Sequence, residues 1–231
     1  MEDKFRIKVL NSYVFGYLEE EIRAEALSRD LSTFSNFLEL AAFESNSAPN
    51  MSKLSQEIGV SHTTIASYYQ ILEDCLIAER VEPLTKSSTR KKLTKTQKYI
   101  LFDLGVRRVA AREGTQLPKD ILGGIFEQFV GLELLRQSRF CTKPTRLRFW
   151  RDPDGPEVDW VLEKENLYIP LEVKWTDSPT TSDIKHLKTF LKEYPQSPEG
   201  YLICQTPRPL KLDKNITALP WPMIDTLLHS Q

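Results

Sequence analysis

The period of the apolar residues changes in the second half of the chain, and this change constrains the fold more than any other sequence feature. From Pro118, apolar residues recur every three or four positions, as in an amphipathic helix. The period then becomes two in segments separated by Asp, Pro, Gly and Asn, which predicts strands joined by tight turns. The predicted strands are 147–150, 158–162, 169–175 and 200–204, with a second amphipathic helix at 182–194 before the last. This order predicts an α/β domain.

Three charged residues fall at matching positions of the second and third predicted strands. Within 169–175, the apolar residues alternate with polar ones, so Glu172 and Lys174 share one face. Asp159 projects from the face opposite the apolar residues of its own strand. If the two strands pair through the turn at 163–166, Asp159 and Glu172 converge on one point.

Two carboxylates at one point repel unless a cation lies between them, and oxygen ligands suit Mg²⁺ or Mn²⁺. The metal would activate a water molecule, and Lys174 would orient it and stabilise developing negative charge. Glu127, on the long helix, is the candidate for a third metal ligand, with Glu133 as its rival. The competing interpretation is that Glu172 and Lys174 form an ordinary solvent-facing pair on a strand.

A helix–turn–helix pattern precedes this domain. Leu54 and Ile58 form the apolar face of a short helix, Gly59 supplies the turn, and Ser61 is the predicted N-cap of a second helix. Two strands are predicted at 76–81 and at 99–102. Together these elements predict a winged helix, whose wing is the basic segment between the strands.

The winged helix suggests contacts with DNA. Small polar side chains at the start of the second helix can reach phosphates or base edges, and basic side chains in the wing can contact phosphates. The competing interpretations are a protein-binding winged helix and a solvated loop. The candidate DNA-binding residues are Ser61, His62, Thr63, Thr64, Ser67, Arg90, Lys91 and Lys92.

The order helix, strand meander, Asp, Glu-x-Lys, helix, strand is similar to the PD-(D/E)-x-K nuclease superfamily. More narrowly, six segments resemble the C-terminal half of a prokaryotic family of AAA-superfamily ATPases, in which an ATPase domain precedes a winged helix and a nuclease-like domain of poorly defined role. The resemblance extends from about Tyr13 to Gln205. The segments are Tyr17–Glu20, Leu54–Leu72, Phe126–Val130, Phe149–Asp152, Glu157–Asp159 and Ile169–Lys174.

The resemblance implies four parts of the chain. Residues 1–47 correspond to a helical remnant of the ATPase lid, and 48–105 to the winged helix. Residues 106–117 are a polar connector, and 118–231 form a restriction-endonuclease-like three-layer α/β domain. One departure matters: no Gly of this sequence is followed by Lys, so the phosphate-binding loop is missing. ATP is therefore an expected ligand only of an ATPase domain outside this chain. The chain itself is either a fragment of a longer protein or a natural product that has lost the ATPase domain.

Composition bounds where and how the protein acts. The net charge is −1, so any binding of nucleic acid depends on local clusters of charge. Cys75, Cys141 and Cys204 are widely spaced and include no C-x-x-C pair, which favours a reducing compartment. Without a signal sequence or an apolar run of bilayer length, we expect a cytoplasmic protein, and the sequence leaves open whether it forms an oligomer.

The resulting hypothesis is the C-terminal portion of an AAA-type ATPase, with a DNA-binding winged helix and a Mg²⁺-dependent nuclease-like domain. Its enzymatic activity, metal-dependent endonucleolysis, stays open at this point. Two alternatives remain: a non-catalytic docking module, and a transcription regulator that acts through the winged helix. Metal binding by the second domain separates the first hypothesis from the other two.

Overall fold

The computed structural model divides the chain into two compact units. The N-terminal unit comprises Met1–Arg80 and Lys98–Leu117, and the C-terminal unit comprises Val81–Gln97 and Pro118–Gln231. Within these units, the described residues are 2–17, 20, 31–86, 93–152, 155–165 and 167–229.

Helices dominate the N-terminal unit. A π-helical segment, Tyr13–Tyr17, follows the first helix, and a two-stranded sheet forms from β1 and β2. The largest fully buried side chains of its core include Phe37, Leu54, Ile65 and Leu72. The elements are α1 (Glu2–Ser12), α2 (Leu31–Phe43), α3 (Met51–Ile58), α4 (His62–Asp74), β1 (Ala78–Val81), β2 (Lys98–Leu101) and α5 (Leu104–Ala110).

Local sequence signals account for the turn between α3 and α4. Gly59 ends α3 in the left-handed conformation, with φ 79°, and its N–H donates to the Ser55 carbonyl at 3.0 Å. Ser61 caps α4, because its hydroxyl oxygen accepts from the Thr64 N–H at 3.0 Å. The predicted turn glycine and N-cap are both confirmed.

The predicted polar connector, 106–117, differs from the structure because its first residues lie in α5. Asp103 caps this helix by accepting from the N–H groups of Gly105 and Val106, at 2.8 and 2.9 Å. Arg107 is buried, forms an ion pair with Glu113, and donates from Nε to the Ala42 carbonyl at 3.1 Å. An arginine paired in this way is compatible with burial, which its sequence position alone does not indicate.

Among the described residues of the C-terminal unit, six strands form one mixed sheet in the order β3-β4-β5-β6-β8-β7. The pairs β3–β4, β4–β5 and β7–β8 are antiparallel, whereas β5–β6 and β6–β8 are parallel. The predicted α/β class is confirmed. The elements are α6 (Leu122–Ser138), β3 (Thr145–Arg151), β4 (Glu157–Lys164), β5 (Leu167–Val173), α7 (Lys185–Glu193), β6 (Gly200–Cys204), β7 (Leu210–Asp213), β8 (Ile216–Pro220) and α8 (Thr226–His229).

Helices cover both faces of the central strand β5. A Cβ atom added to Gly131 of α6 would lie 2.4 Å from Trp160 Cζ2, so α6 packs on the face that carries Trp160. Val161, the next residue of β4, belongs with Phe190 of α7 to the core cluster on the opposite face. The alternating pattern therefore assigned residues to the two faces of the sheet. It did not indicate that a helix packs on the face of Glu172 as well as on the apolar face.

None of the helices in the described ranges combines the length and apolar character needed to cross a membrane. Cys75, Cys141 and Cys204 are free thiols. The cytoplasmic location stays a prediction.

Candidate carboxylate–lysine centre and nucleic-acid interface

Asp159 and Glu172 meet where the pairing between β4 and β5 ends. The last paired residues are Trp160 and Leu171, and Asp159 lies just outside them. Its Oδ2 accepts a hydrogen bond from the Val173 N–H at 2.8 Å, so the Asp159 side chain takes the place of a backbone acceptor. This bond holds the Asp159 carboxylate beside the residue that follows Glu172.

Glu172 is a buried carboxylate, with 4% of its surface exposed. Its Oε1 lies 2.9 Å from Lys174 Nζ, whereas its buried Oε2 accepts no hydrogen bond from the described residues. Burial raises the pKa of Glu172 above its ordinary value, although the charge of Lys174 opposes this effect. Glu172 is therefore not part of an ordinary solvent-facing pair on a strand, as the competing interpretation of the sequence had it.

Lys174 lies at the open side of the cluster, with 43% of its side chain exposed. Burial pulls its pKa down, but the negative charges of Glu172 and Asp159, with a smaller contribution from Glu127, outweigh burial and raise the pKa above its ordinary value. Lys174 is accordingly a cation that three carboxylates hold in its charged form.

Glu127 enters the cluster from α6. The indole N–H of Trp160 donates to the Glu127 carbonyl at 3.2 Å, which ties α6 to β4 at this position. The Glu127 charge acts on both Glu172 and Lys174. Its rival Glu133 instead forms an ion pair with Arg136 at 2.8 Å on the same helix.

His186 is a member of this surrounding that the sequence did not single out. It lies in the first turn of α7, and its charge lowers the pKa of Glu172. The signal was present in the amphipathic pattern of 182–194, because the first turn of a helix that covers the sheet lies close to a strand end. His186 was not predicted because no second His or Cys lies at metal-ligand spacing from it in the sequence.

The structure thus brings Glu127, Asp159, Glu172 and Lys174 into one electrostatic cluster. Within the described part of the chain, however, no group of three His, Cys, Asp or Glu residues is arranged closely enough to hold a metal ion. The cluster is a buried carboxylate with a second carboxylate and a lysine beside it, and Glu127 contributes charge from the adjacent helix. The metal-ligand role of all three carboxylates stays a prediction.

The candidate DNA-binding residues of α4 lie at its exposed start. Ser61, His62 and Thr63 are exposed, as is Ser67 one turn later, and Thr64 is half-buried. The Ser61 and Thr64 hydroxyl oxygens are 2.8 Å apart, and the Ser67 hydroxyl donates to the Thr63 carbonyl at 3.1 Å. The three wing residues fall outside the described residues; these are Arg90, Lys91 and Lys92.

The fold and the cluster define a class of protein: a helix–turn–helix unit in one chain with an α/β unit whose mixed sheet carries a buried carboxylate–lysine centre. Residues 122–224 match the family model of a domain of unknown function, DUF4143, which is found in AAA-ATPase-associated proteins. Residues 1–117 match that of a second domain of unknown function, DUF8612, and since this match covers just over half of the 231 residues, the chain belongs to that family. The DUF4143 match links the C-terminal unit to an ATPase-associated context.

Among solved structures, the chain is similar to a chain of the tetradecameric assembly of Thermococcus gammatolerans McrB AAA+ hexamers with bound McrC, at 13% identity and a TM-score of 0.34. The alignment covers 80% of this chain and 46% of that one, so this chain spans less than half of the solved chain's length. A likeness at this TM-score carries no argument about fold or function. None of the curated proteins matches the sequence.

Proposed function

We propose that this chain is the C-terminal region of an AAA-type ATPase, and that its C-terminal unit is a divalent-metal-dependent nuclease-like domain. The observation that carries the proposal is the buried Glu172 carboxylate, which has one oxygen on Lys174 and the other without a hydrogen-bond donor among the described residues. Burying such an oxygen is unfavourable unless a partner satisfies it. A cation between Asp159 and Glu172 is the partner that this chemistry favours.

The donor set fits Mg²⁺ or Mn²⁺ in a definite way. Mg²⁺ sites commonly use one or two carboxylates, with water and substrate phosphate in the remaining positions. Asp159 and Glu172 are the two carboxylates that would hold the metal, and Glu127 adds negative charge from α6. When bound, the metal supplies Lewis acidity and an activated water molecule. Lys174 would stabilise negative charge on the phosphate through its exposed ammonium group.

The first prediction concerns metal-dependent stability. Millimolar Mn²⁺ is expected to raise the melting temperature of the wild-type chain. A ligand that binds only the folded state, present at a concentration of 100 times its Kd, adds about 2.7 kcal/mol to the free energy of unfolding. Asp159→Asn removes one ligand charge but keeps an oxygen that can accept from the Val173 N–H. We expect this variant to lose the Mn²⁺-dependent increase. Thermal melts can follow tryptophan fluorescence, because all four tryptophans lie in the C-terminal unit.

Glu157→Gln is the matched control for this measurement. Glu157 lies on the same strand, its side chain is 51% exposed, and its partner is Arg151 at 3.5 Å. This variant should keep the Mn²⁺-dependent increase. A wild-type melting temperature that ignores Mn²⁺ would contradict the metal site, and the non-catalytic docking module would then be the better description.

We further propose that the helix–turn–helix of the N-terminal unit, together with β1 and β2, is of the winged-helix type and binds duplex DNA through the start of α4. In support, α3 and α4 join through the left-handed Gly59, and the exposed side chains of His62 and Thr63 carry hydrogen-bonding groups. Duplex binding without any metal effect would favour the transcription regulator instead.

The second prediction tests this surface. The double variant His62→Ala/Thr63→Ala is expected to weaken binding of a 30-bp duplex by about tenfold, since each lost hydrogen bond contributes about 0.5–1.5 kcal/mol. Ser61 stays unchanged, because its side chain caps α4. Fluorescence anisotropy at fixed salt measures the effect, and Gln70→Ala, an exposed change farther along α4, is the control. Equal affinities of the double variant and the wild type would contradict the assignment.

A further inference from the structure

The described residues between β1 and β2 lie against the edge of the large sheet. The sequence placed Val81–Gln97 in the winged helix, whereas in the structure it belongs to the C-terminal unit. The Leu84 N–H donates to the Phe149 carbonyl at 2.7 Å, and the Thr94 N–H donates to the Arg151 carbonyl at 3.0 Å. Because β3 is an edge strand, these bonds satisfy backbone groups that the sheet leaves open.

Buried leucines hold this segment in place. Leu84 and Leu93 are 3% and 8% exposed and belong to the same core cluster as Trp150 and Phe190. The described parts of the segment on either side of 87–92 are therefore anchored to the C-terminal unit at both ends.

A basic groove forms between the anchored segment and β3. It has a volume of about 370 Å³, and its charged lining consists of four cations and two carboxylates. Glu163, one of the two carboxylates, forms an ion pair within the groove, because Arg148 Nε donates to its Oε2 at 2.9 Å. The other lining cations have no ion-pair partner among the described residues, and all three are exposed: Lys86, Lys95 and Arg146.

We propose that this groove binds the phosphodiester backbone of DNA and guides it toward the carboxylate–lysine centre. Clustered Lys and Arg side chains bind phosphates by charge and by release of counterions, without need of a particular base sequence. Such a cluster gives a chain of net charge −1 a local site for a polyanion. The inference rests on the proposed nuclease-like function, and it names the substrate class and the contact surface.

The position of the groove in the sheet supports this assignment. Arg146 pairs in register with Glu163, which lies on β4, four residues beyond Asp159. At the rise of a strand, this separation is about 13 Å. It corresponds to about four base-pair steps of duplex DNA, each about 3.4 Å long. Along the strand, the groove and the centre are therefore separated by less than half a turn of a duplex.

The test is the salt dependence of duplex binding by the full chain. The triple variant Lys86→Ala/Lys95→Ala/Arg146→Ala is expected to bind a fluorescein-labelled 30-bp duplex at least tenfold more weakly. The slope of log affinity against log salt should become shallower by about 2.7, which is about 0.9 for each lost phosphate contact. The titrations contain EDTA, so that neither metal binding nor cleavage contributes. The charge-matched control changes three exposed cations of the same unit that do not line the groove: Lys192→Ala/Arg208→Ala/Lys214→Ala.

The outcomes separate this inference from the proposed function. If the triple variant and the control both keep the wild-type slope, the groove does not contact phosphates. The proposed metal site, which is tested by the Mn²⁺-dependent melts, is unaffected by that outcome. If both triple variants lose affinity equally, net charge rather than the groove is responsible, and the inference is overturned. A wild-type chain that binds no duplex overturns the inference together with the DNA-binding proposal. Fluorescence melts should agree within about 3 °C for all variants, because each substitution changes an exposed side chain.

Discussion

Lys174→Ala is expected to lower metal-dependent plasmid cleavage by about 10²–10³-fold, the loss typical for removing one group that stabilises developing charge. Mn²⁺ binding should persist or become tighter, because a positive charge beside the two carboxylates is removed. Because Lys174 is the ion-pair partner of the buried Glu172, the metal-free variant should melt at a lower temperature than the wild type, and Mn²⁺ should restore part of that loss. A cleavage time course and an Mn²⁺-dependent thermal melt, performed on the same preparation, measure the two effects separately.

Two comparisons make this result specific. Lys192→Ala removes an exposed lysine of α7 and should cleave like the wild type. Lys174→Arg keeps the positive charge and should retain more activity than Lys174→Ala. Cleavage by Lys174→Ala at the wild-type rate would mean that Lys174 serves only as the ion-pair partner of Glu172. A wild-type chain that binds Mn²⁺ but cuts no plasmid would contradict the endonuclease proposal for this chain and leave a metal-binding domain.

Gly131→Ala is expected to destabilise the C-terminal unit by about 1–3 kcal/mol, the usual cost of extra volume in a packed core. The added Cβ would lie 2.4 Å from Trp160 Cζ2 and 2.9 Å from Cε2, and Trp160 is fully buried. The indole must therefore move, which disturbs its 3.2 Å hydrogen bond to the Glu127 carbonyl. Because this bond ties α6 to β4, we also expect a weaker Mn²⁺-dependent increase in melting temperature.

Gly124→Ala provides the matched control on the same helix. A Cβ at Gly124 meets no atom within 4 Å, so the substitution only improves helix propensity and should stabilise the unit by about 0.5–1 kcal/mol. Urea unfolding followed by tryptophan fluorescence measures the free energy of unfolding of both variants, since all tryptophans lie in this unit. Equal stability of the two variants would show that α6 moves away from β4 without cost.

The sequence predicted the elements that carry the centre because their signals are local. Alternation placed Glu172 in a strand, and the structure has it in β5, although that strand ends at Val173 instead of Trp175. The cap at Ser61 and the turn at Gly59 depend on neighbouring backbone groups and were predictable for the same reason. By contrast, β7 and β8 were not predicted. Leu210 and Leu212 of β7 alternate with polar residues, but a run of four residues is too short to predict a strand, and its conformation depends on pairing with β8.

The sequence was sufficient to predict which residue types come together: Asp159 and Glu172 on adjacent strands, and Lys174 just beyond. These placements follow from the two-residue period of a strand and from a short turn. The burial of Glu172 was not predictable in this way, because the period of a strand assigns a side chain to a face but does not indicate what packs on that face. The sequence also did not predict that Leu84 and Thr94 pack on the edge of β3, since their hydrogen-bond partners, Phe149 and Arg151, lie more than 50 residues away in the sequence.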